Sequence, residues 1–526
     1  MKPKLRLLVV ALLLAGFALS KVLRHSSAEL QGTAPALLPK DELVLGTLRL
    51  LPCEIGKRLG RNTLTAYCTD FDVPEDRTHP EGRHIKLKVA VVKSEAANAD
   101  ADLAVFLDGG PGGSAINDYP AISDAFSVLR KRHHVLLVDQ RGTGSSNPLD
   151  CPATQAFGKT LLDKLGSDEI ELPRIQELMR KCVDELKDKA DTRFYTTTDA
   201  IADLEAIRQA LDQDTKKEGT RHVAVTFDLI GVSYGTRVAQ QYAARYPQAV
   251  RSIVLDSPVP NTLILGSEHA RSLEDALKAQ LAACNSAPDC KQKFGDAYQN
   301  LHILHQQLKG KPVKVETRDP STFELSQRTL SASAFAGLVR LYAYSPITSA
   351  LLPLMTDDAL HGNYAPLLGQ VQLVTEGIND SMNTGMGLSV ICAEDADLLR
   401  TNPDDANSLL GNSMVEFYQR ACPVWPHGER PANFHDAFKS SIPTLILSGE
   451  FDPVTPPRYA QAIAKELGNA RVLILKGQGH AVMMTRCTPG LISKFVNTLQ
   501  PATLDAACLD LLAPIPMFID YNGAGP

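Results

Sequence analysis

The sequence predicts an α/β fold, a doubly wound and mostly parallel sheet carrying an inserted, mainly helical domain. Three observations predict it. Short apolar runs without alternation recur along the chain, helix-period segments lie between several of them, and this rhythm breaks between about residues 261 and 440. Unalternating runs fit strands buried on both faces, as parallel sheets require. Strands that alternate with helices imply crossovers rather than hairpins.

The elements follow in order. "MKPKLR" is positively charged, and "LLVVALLLAGFAL" is an apolar run ending at Leu19. That run is short for a bilayer span and suits the apolar region of a signal peptide. Residues 1–28 are therefore expected to be a signal peptide, or an N-terminal anchor if uncleaved. Ala18 and Ser20, or Ser26 and Ala28, supply small residues before a cut. The expected location is secreted or periplasmic, with no membrane span after cleavage.

Residues 40–260 form the first part of the expected core. "HIKLKVAVV" (84–92) alternates apolar and lysine positions and predicts a strand with one wet face. "LAVFLD", "HVLLVDQ", "VTFDLIG" and "SIVLDSP" then read as buried strands. "TTTDAIADLEAIRQAL" puts Ile201, Leu204, Ile207 and Leu211 on one helical face. Residues 261–440 read as a helical cap inserted between two strands of one sheet. Residues 441–515 complete the core with "TLILSG", the helix "PRYAQAIAKELG" ending at Gly468, and "RVLILKG".

Composition narrows the function classes. The chain has 526 residues, 44% of them hydrophobic, and a net charge of −6 without a basic stripe. Nucleic acid is therefore not an expected partner. The ten cysteines are Cys53, Cys68, Cys151, Cys182, Cys284, Cys290, Cys392, Cys422, Cys487 and Cys508. In an exported chain an even number implies disulfides, and the simplest scheme pairs neighbours, though other pairings stay open. No C-x-x-C or H-x-x-x-H spacing occurs, so no metal site is expected.

Gly231-Val232-Ser233-Tyr234-Gly235 is a G-x-S-x-G pentapeptide between a buried strand and a helix. That context is the one a nucleophile elbow needs. A serine hydroxyl attacks only when a base takes its proton, and the base needs an orienting carboxylate. In α/β-hydrolases the chain order is Ser, acid, His. Asp452 follows "TLILSG" and His480 follows "RVLILKG", both in loops after strands, so the expected triad is Ser233, Asp452 and His480. Glu450 is the competing acid.

"FLDGGPGGSA" (106–115) puts four glycines and a proline at the end of a strand. It matches a dinucleotide fingerprint ending in alanine. Pro111 removes an N–H from that loop, however, and Asp139 lies 29 residues beyond Gly110, against the usual ~20 for the ribose-binding acid. No G-K-[ST] follows, which excludes a P-loop. The remaining reading is an oxyanion hole, with N–H groups from Tyr234 and from Gly110, or next Gly109. Asp108 heads the loop, and a carboxylate facing an oxyanion would oppose catalysis. Its side chain is expected to turn away from Ser233 and brace the loop's own N–H groups.

"LDGGPGGSA", "VDQRGTGSSNPLDC", "DLIGVSYGTRVAQQYAARYP", "SIVLDSP", "LILSGEFDPVTPP" and "GQGHAV" resemble the proline iminopeptidase and tripeptidyl aminopeptidase family of serine exopeptidases. The likeness runs over roughly residues 40 to 510 and is strongest to the secreted bacterial branch, whose C-terminal region "SVICAED" and "CPVWP" also resemble. It implies an α/β-hydrolase core, a helical cap, no cofactor, and release of short fragments from peptides with a free N-terminus. It also implies a Cys392–Cys422 disulfide. Cytosolic members carry His where this chain has Asp108.

A free-amine site needs a buried anion. Glu394 and Asp395 are the candidates, and Trp425 is read as packing on a disulfide. A carboxylic ester hydrolase or a catalytically inactive binding protein on the same fold are the alternative functions.

Overall fold

The computed structural model describes residues 41–523, apart from 57–62, 97–101, 152–171, 214–223 and 319–322. The expected signal peptide, residues 1–28, lies outside the described residues. Twelve strands are described. They are β1 (Leu43–Leu45), β2 (Leu48–Ile55), β3 (Leu64–Pro74), β4 (His84–Val92), β5 (Leu103–Leu107), β6 (Val135–Val138), β7 (Phe227–Val232), β8 (Val250–Asp256), β9 (Val313–Arg318), β10 (Leu325–Leu330), β11 (Thr444–Gly449) and β12 (Ala470–Leu475).

Ten of them form one sheet in the order β1-β2-β3-β4-β6-β5-β7-β8-β11-β12. From β6 to β12 every pairing is parallel, and from β1 to β6 every pairing is antiparallel. The central strands are buried on both faces. Leu103, Val105 and Leu107 of β5 join one hydrophobic cluster, and Ala104 and Phe106 join the other. This is why the sequence reads there as an unbroken apolar run.

Three features depart from the expected pattern. The antiparallel wing β1–β3 carries Pro52, charged residues and a mixed burial pattern, so it gives no clean periodicity. β12 is an edge strand with Ile474 39% exposed, because its place at the end of the sheet leaves one side without a neighbour. The helix Pro457–Lys465 stops three residues before Gly468.

The helix Thr197–Asp212 begins with a capping box between Thr196 and Asp199, and Ile201, Leu204, Ile207 and Leu211 are buried along it. The segment between β8 and β11 is mostly helical and also holds the β9–β10 hairpin. Leu277, Leu281, Leu301, Leu304, Phe335 and Leu338 build a core of its own there. Met386, Leu388, Val390 and Trp425 instead pack into the core on one face of the main sheet. The inserted segment is thus divided between two cores rather than packed as one body.

All ten cysteines pair with their sequence neighbours: Cys53–Cys68, Cys151–Cys182, Cys284–Cys290, Cys392–Cys422 and Cys487–Cys508. Trp425 is buried in the cluster that contains Cys392 and Cys422, and its indole N–H donates to Ser389 Oγ at 3.1 Å. Among the described residues no helix is long and apolar enough to cross a membrane.

Candidate active site

The loops at the C-terminal ends of β5, β7, β8, β11 and β12 converge on one edge of the sheet. β7 ends at Val232, and the helix Tyr234–Arg245 starts two residues later. Ser233 between them has φ 53° and ψ −125°, a left-handed backbone that costs a non-glycine residue about 1–3 kcal/mol. The turn needs both flanking glycines. A Cβ on Gly231 would lie 2.6 Å from the Gly235 carbonyl oxygen, and one on Gly235 would run into the Leu107 carbonyl. The Ser233 N–H donates to the Asp256 carbonyl at 3.0 Å, which ties the turn to the end of β8.

Asp452 and His480 meet across the loops after β11 and β12. Nδ1 of His480 lies 2.8 Å from Asp452 Oδ2 and 3.0 Å from Oδ1. Asp452 is 1% exposed, and its remaining acceptor capacity is filled by the N–H groups of Val454 and Thr455 and by Thr455 Oγ1. Burial alone would raise the Asp452 carboxyl, but His480 and these donors hold it below the usual carboxylate range. Burial alone would lower the His480 imidazole, and Asp452 outweighs it and raises it above its ordinary value. Glu450 does not reach the histidine. Its Oε2 accepts from the Gly477 N–H at 2.8 Å, where it braces the loop.

Asp256 anchors the histidine loop. Its carboxylate accepts the N–H groups of Val482 (3.0 Å) and Met483 (2.8 Å), while Ser257 Oγ accepts from Ala481 N–H at 2.8 Å. The Ser233 turn and the His480 loop are therefore both fastened to the last residues of β8. Tyr344, from the inserted segment, accepts the His480 N–H through its carbonyl at 2.8 Å and packs its ring edge-on at 5.0 Å.

Thr455 was not singled out from the sequence. Its signal is local: a Thr three residues after Asp452 lets one turn bond the carboxylate through both backbone and side chain. Thr455→Val removes the hydroxyl while keeping the shape. It is expected to lower kcat/KM about 10-fold, the size of one hydrogen bond to a charged group. A rate within twofold of wild type would show that the hydroxyl does not hold the acid in place.

In the glycine loop, Asp108 Oδ1 accepts the Gly109 N–H at 2.7 Å, and Oδ2 lies 2.6 Å from where a Cβ on Gly113 would sit. The side chain thus folds back into its own loop. Burial, then the nearby Asp118, push its carboxyl well above the usual range, which suppresses the charge that would oppose an oxyanion. The same contact corrects one expectation. The Gly109 N–H is already donated, so Gly109 is not an available oxyanion donor.

Gly110 and Tyr234 remain. Gly110 has φ 119°, suited to glycine alone, and among the described residues its N–H has no acceptor. Tyr234 opens its helix, so its N–H has no acceptor within the helix. Asp139, the acid weighed for dinucleotide binding, is consumed by structure. It accepts from Ser114 Oγ, Ile116 N–H and Ser145 N–H.

Glu394 and Asp395, both fully buried, are brought against the first turns of the helix that follows Ser233. Glu394 accepts the Thr197 N–H (2.6 Å) and hydroxyl (2.9 Å), and that hydroxyl meets Tyr234 OH at 2.6 Å. Asp395 pairs with Arg237 at 2.9 Å. Burial, then Asp395, push Glu394 up to about 8, so it is mostly uncharged at neutral pH. Each Glu394 oxygen accepts one hydrogen bond from Thr197, and Asp395 Oδ1 is buried without a hydrogen-bond partner among the described residues.

The chain is similar to several known proteins. Serine protease Hip1 of Mycobacterium tuberculosis (strain ATCC 25618 / H37Rv) is 25% identical over 463 residues, which is 80% of this chain and 82% of that protein. The tripeptidyl aminopeptidase of Streptomyces lividans is 28% identical over 199 residues, 36% of this chain and 35% of that one. A solved proline iminopeptidase from Mycobacterium smegmatis aligns over 82% of this chain and 98% of its own, at 15% identity and a TM-score of 0.38. The profile of the alpha/beta hydrolase fold matches residues 105–486. With that match spanning most of the chain, and with the strained serine turn and the Asp–His pair at one sheet edge, the chain belongs to the α/β-hydrolase fold family.

Proposed function

We propose that this α/β hydrolase is an exported serine aminopeptidase that releases short N-terminal fragments from peptides through an acyl-enzyme. The observation that carries the reading is the Asp452–His480 pair, held at 2.8 Å over the edge where Ser233 sits on its strained turn. In this mechanism His480 takes the Ser233 proton as the hydroxyl attacks the scissile carbonyl, and Asp452 stabilises the imidazolium that forms. The N–H groups of Gly110 and Tyr234 bind the developing oxyanion. His480 then protonates the leaving amine, and water releases the acyl group by the same steps in reverse order.

Peptides are the proposed substrates because relatives over most of the chain and over a third of it are named as a serine protease and a tripeptidyl aminopeptidase. Export is supported by the five disulfides, which persist in oxidising compartments.

The test is a panel of aminoacyl-, dipeptidyl- and tripeptidyl-fluorophores, each free and N-acetylated, with a short-chain ester beside them. Turnover of free-amine peptides is expected, with acetylation lowering kcat/KM at least 10-fold, as loss of a charged contact does. Ester turnover alone would make the chain an esterase. Equal rates on free and acetylated peptides would remove the aminopeptidase part of the reading.

A further inference from the structure

Arginines near the catalytic edge have carboxylate partners. Arg237 pairs with Asp395, Arg271 with Asp405, and Arg458 with Glu268. Arg340 is different. It stands in the last turn of the helix Ala332–Tyr342, half-buried, and among the described residues it has no ion pair and no hydrogen bond. A partly desolvated cation without a counter-ion is costly, and the carbonyl end of its own helix offsets only part of that.

Its position ties it to the chemistry. The helix runs directly into Ala343 and Tyr344. The Tyr344 carbonyl holds the His480 N–H at 2.8 Å. Gln280 Nε2 bridges the carbonyls of Ala343 (3.3 Å) and Phe451 (3.2 Å), which locks the helix end to the residue before Asp452. Arg340 therefore sits one helical turn from the brace of the catalytic histidine, on a rigid element. Its charge acts on three side chains from three other elements: His480, His269 at the start of the helix His269–Ser286, and Tyr418 of the helix Ser413–Ala421. None of the three carries a carboxylate. Burial, then Arg340, push His269 down to about 3, so it stays neutral and adds no competing cation. Ser233, His480, Tyr344 and Arg340 are all partly accessible.

We propose that Arg340 forms an anion subsite beside the catalytic centre, and that favoured substrates carry a carboxylate that pairs with its guanidinium. A planar fork of donors suits a carboxylate better than any other substrate group in a peptide. The carboxylate has two sources, the C-terminus of a short peptide or an Asp or Glu side chain. The identity of the substrate as a peptide rests on the function proposed above, whereas the anion subsite itself does not.

The experiment compares matched pairs that differ in one charge. One pair is a short peptide with a free C-terminal carboxylate and its C-terminal amide. A second is a C-terminally amidated peptide with Glu or Gln at one position. A third, which needs no peptidase activity, is p-nitrophenyl hemisuccinate and p-nitrophenyl butyrate. The acid member of at least one pair is expected to have a kcat/KM about 10- to 100-fold above its neutral partner, as for a charged hydrogen bond.

Arg340→Gln is expected to bring that ratio close to one, and Arg340→Lys to keep part of it. The first two pairs show which source is used. Ratios near one for wild type in all three pairs would overturn the proposal. So would an Arg340→Gln variant that slows both members equally, because that is what a merely structural helix-end arginine would do. If Arg340→Gln fails to fold, the wild-type ratios and Arg340→Lys still decide. Ester turnover without peptide turnover would end the peptidase reading and leave the third pair to judge Arg340. No turnover of any pair would overturn both.

Discussion

Ser233→Ala is expected to lower kcat by about 10⁶-fold while leaving the folded protein intact. In serine hydrolases, loss of the nucleophile alone costs about as much as loss of the whole triad, because the groups act as one unit. Alanine keeps a Cβ, so the left-handed backbone at φ 53° is no more and no less strained than before. Tm should therefore stay within about 2 °C of wild type, well below the shift that 1 kcal/mol produces in smaller domains. Labelling by a serine-directed phosphonate, read by intact mass, should disappear with the hydroxyl. Labelling retained by the variant would move the nucleophile elsewhere, and turnover within tenfold of wild type would remove Ser233 from the reaction.

Asp452→Asn carries the second-largest expected effect, a loss of about 10⁴ in kcat, together with a change in pH dependence. The base form of His480 must be neutral to accept the serine proton. Asp452 raises the imidazole above its ordinary value of 6.5, so wild-type kcat/KM should rise with pH along an acidic limb centred above 6.5. With the carboxylate gone, the upward push from Asp452 is lost. Burial and Arg340 then act downward, opposed by Asp256, and the limb should move to lower pH. The low plateau has a separate cause. An asparagine can donate to Nδ1, which leaves the proton on Nε2 and no lone pair facing the serine. The measurement is kcat/KM from pH 5 to 9 for both proteins. A limb that does not move, or one that moves upward, would contradict the Asp452–His480 assignment.

The two residues that these substitutions address were legible because their signals are local. G-x-S-x-G between an apolar run and a helix demands a tight turn, and the structure shows why: neither Gly231 nor Gly235 has room for a Cβ. Asp452 and His480 each follow a buried run by a few residues, and parallel strands deliver such loops to the same sheet edge whatever their separation in sequence. Asp108 was legible as an electrostatic problem, and its answer, a bond to the Gly109 N–H, is also local.

Other parts of the site had no local signal. Tyr344 reaches His480 from the inserted segment, and nothing in "YAYSP" marks a carbonyl that will hold the backbone N–H of His480. Glu394 looked like an anion for a substrate amine because its neighbours in sequence resemble a peptidase cap. Packing against Thr197, nearly two hundred residues away, engages both its oxygens. Gly109 had the right place for an oxyanion donor, and only the rotamer of Asp108 removes it. Among strands, β1–β3 were missed because an antiparallel wing with Pro52 and one wet face carries no continuous apolar run. β12 was read as fully buried because an edge position is a property of the sheet order, not of the strand.

By itself the sequence determined the parallel core, the serine turn and the order of serine, acid and histidine, and it offered neighbour pairing of the cysteines as the simplest of several schemes. These follow from short-range chemistry: periodic burial, bare backbone where chains touch, and loops that parallel strands gather at one end. Tertiary structure alone decided which N–H groups remain free for an oxyanion, which carboxylates are spent on internal partners, and that Arg340 stands without one. The physical reason is that satisfaction of a buried polar group depends on what the rest of the chain places around it. That arrangement joins residues hundreds of positions apart.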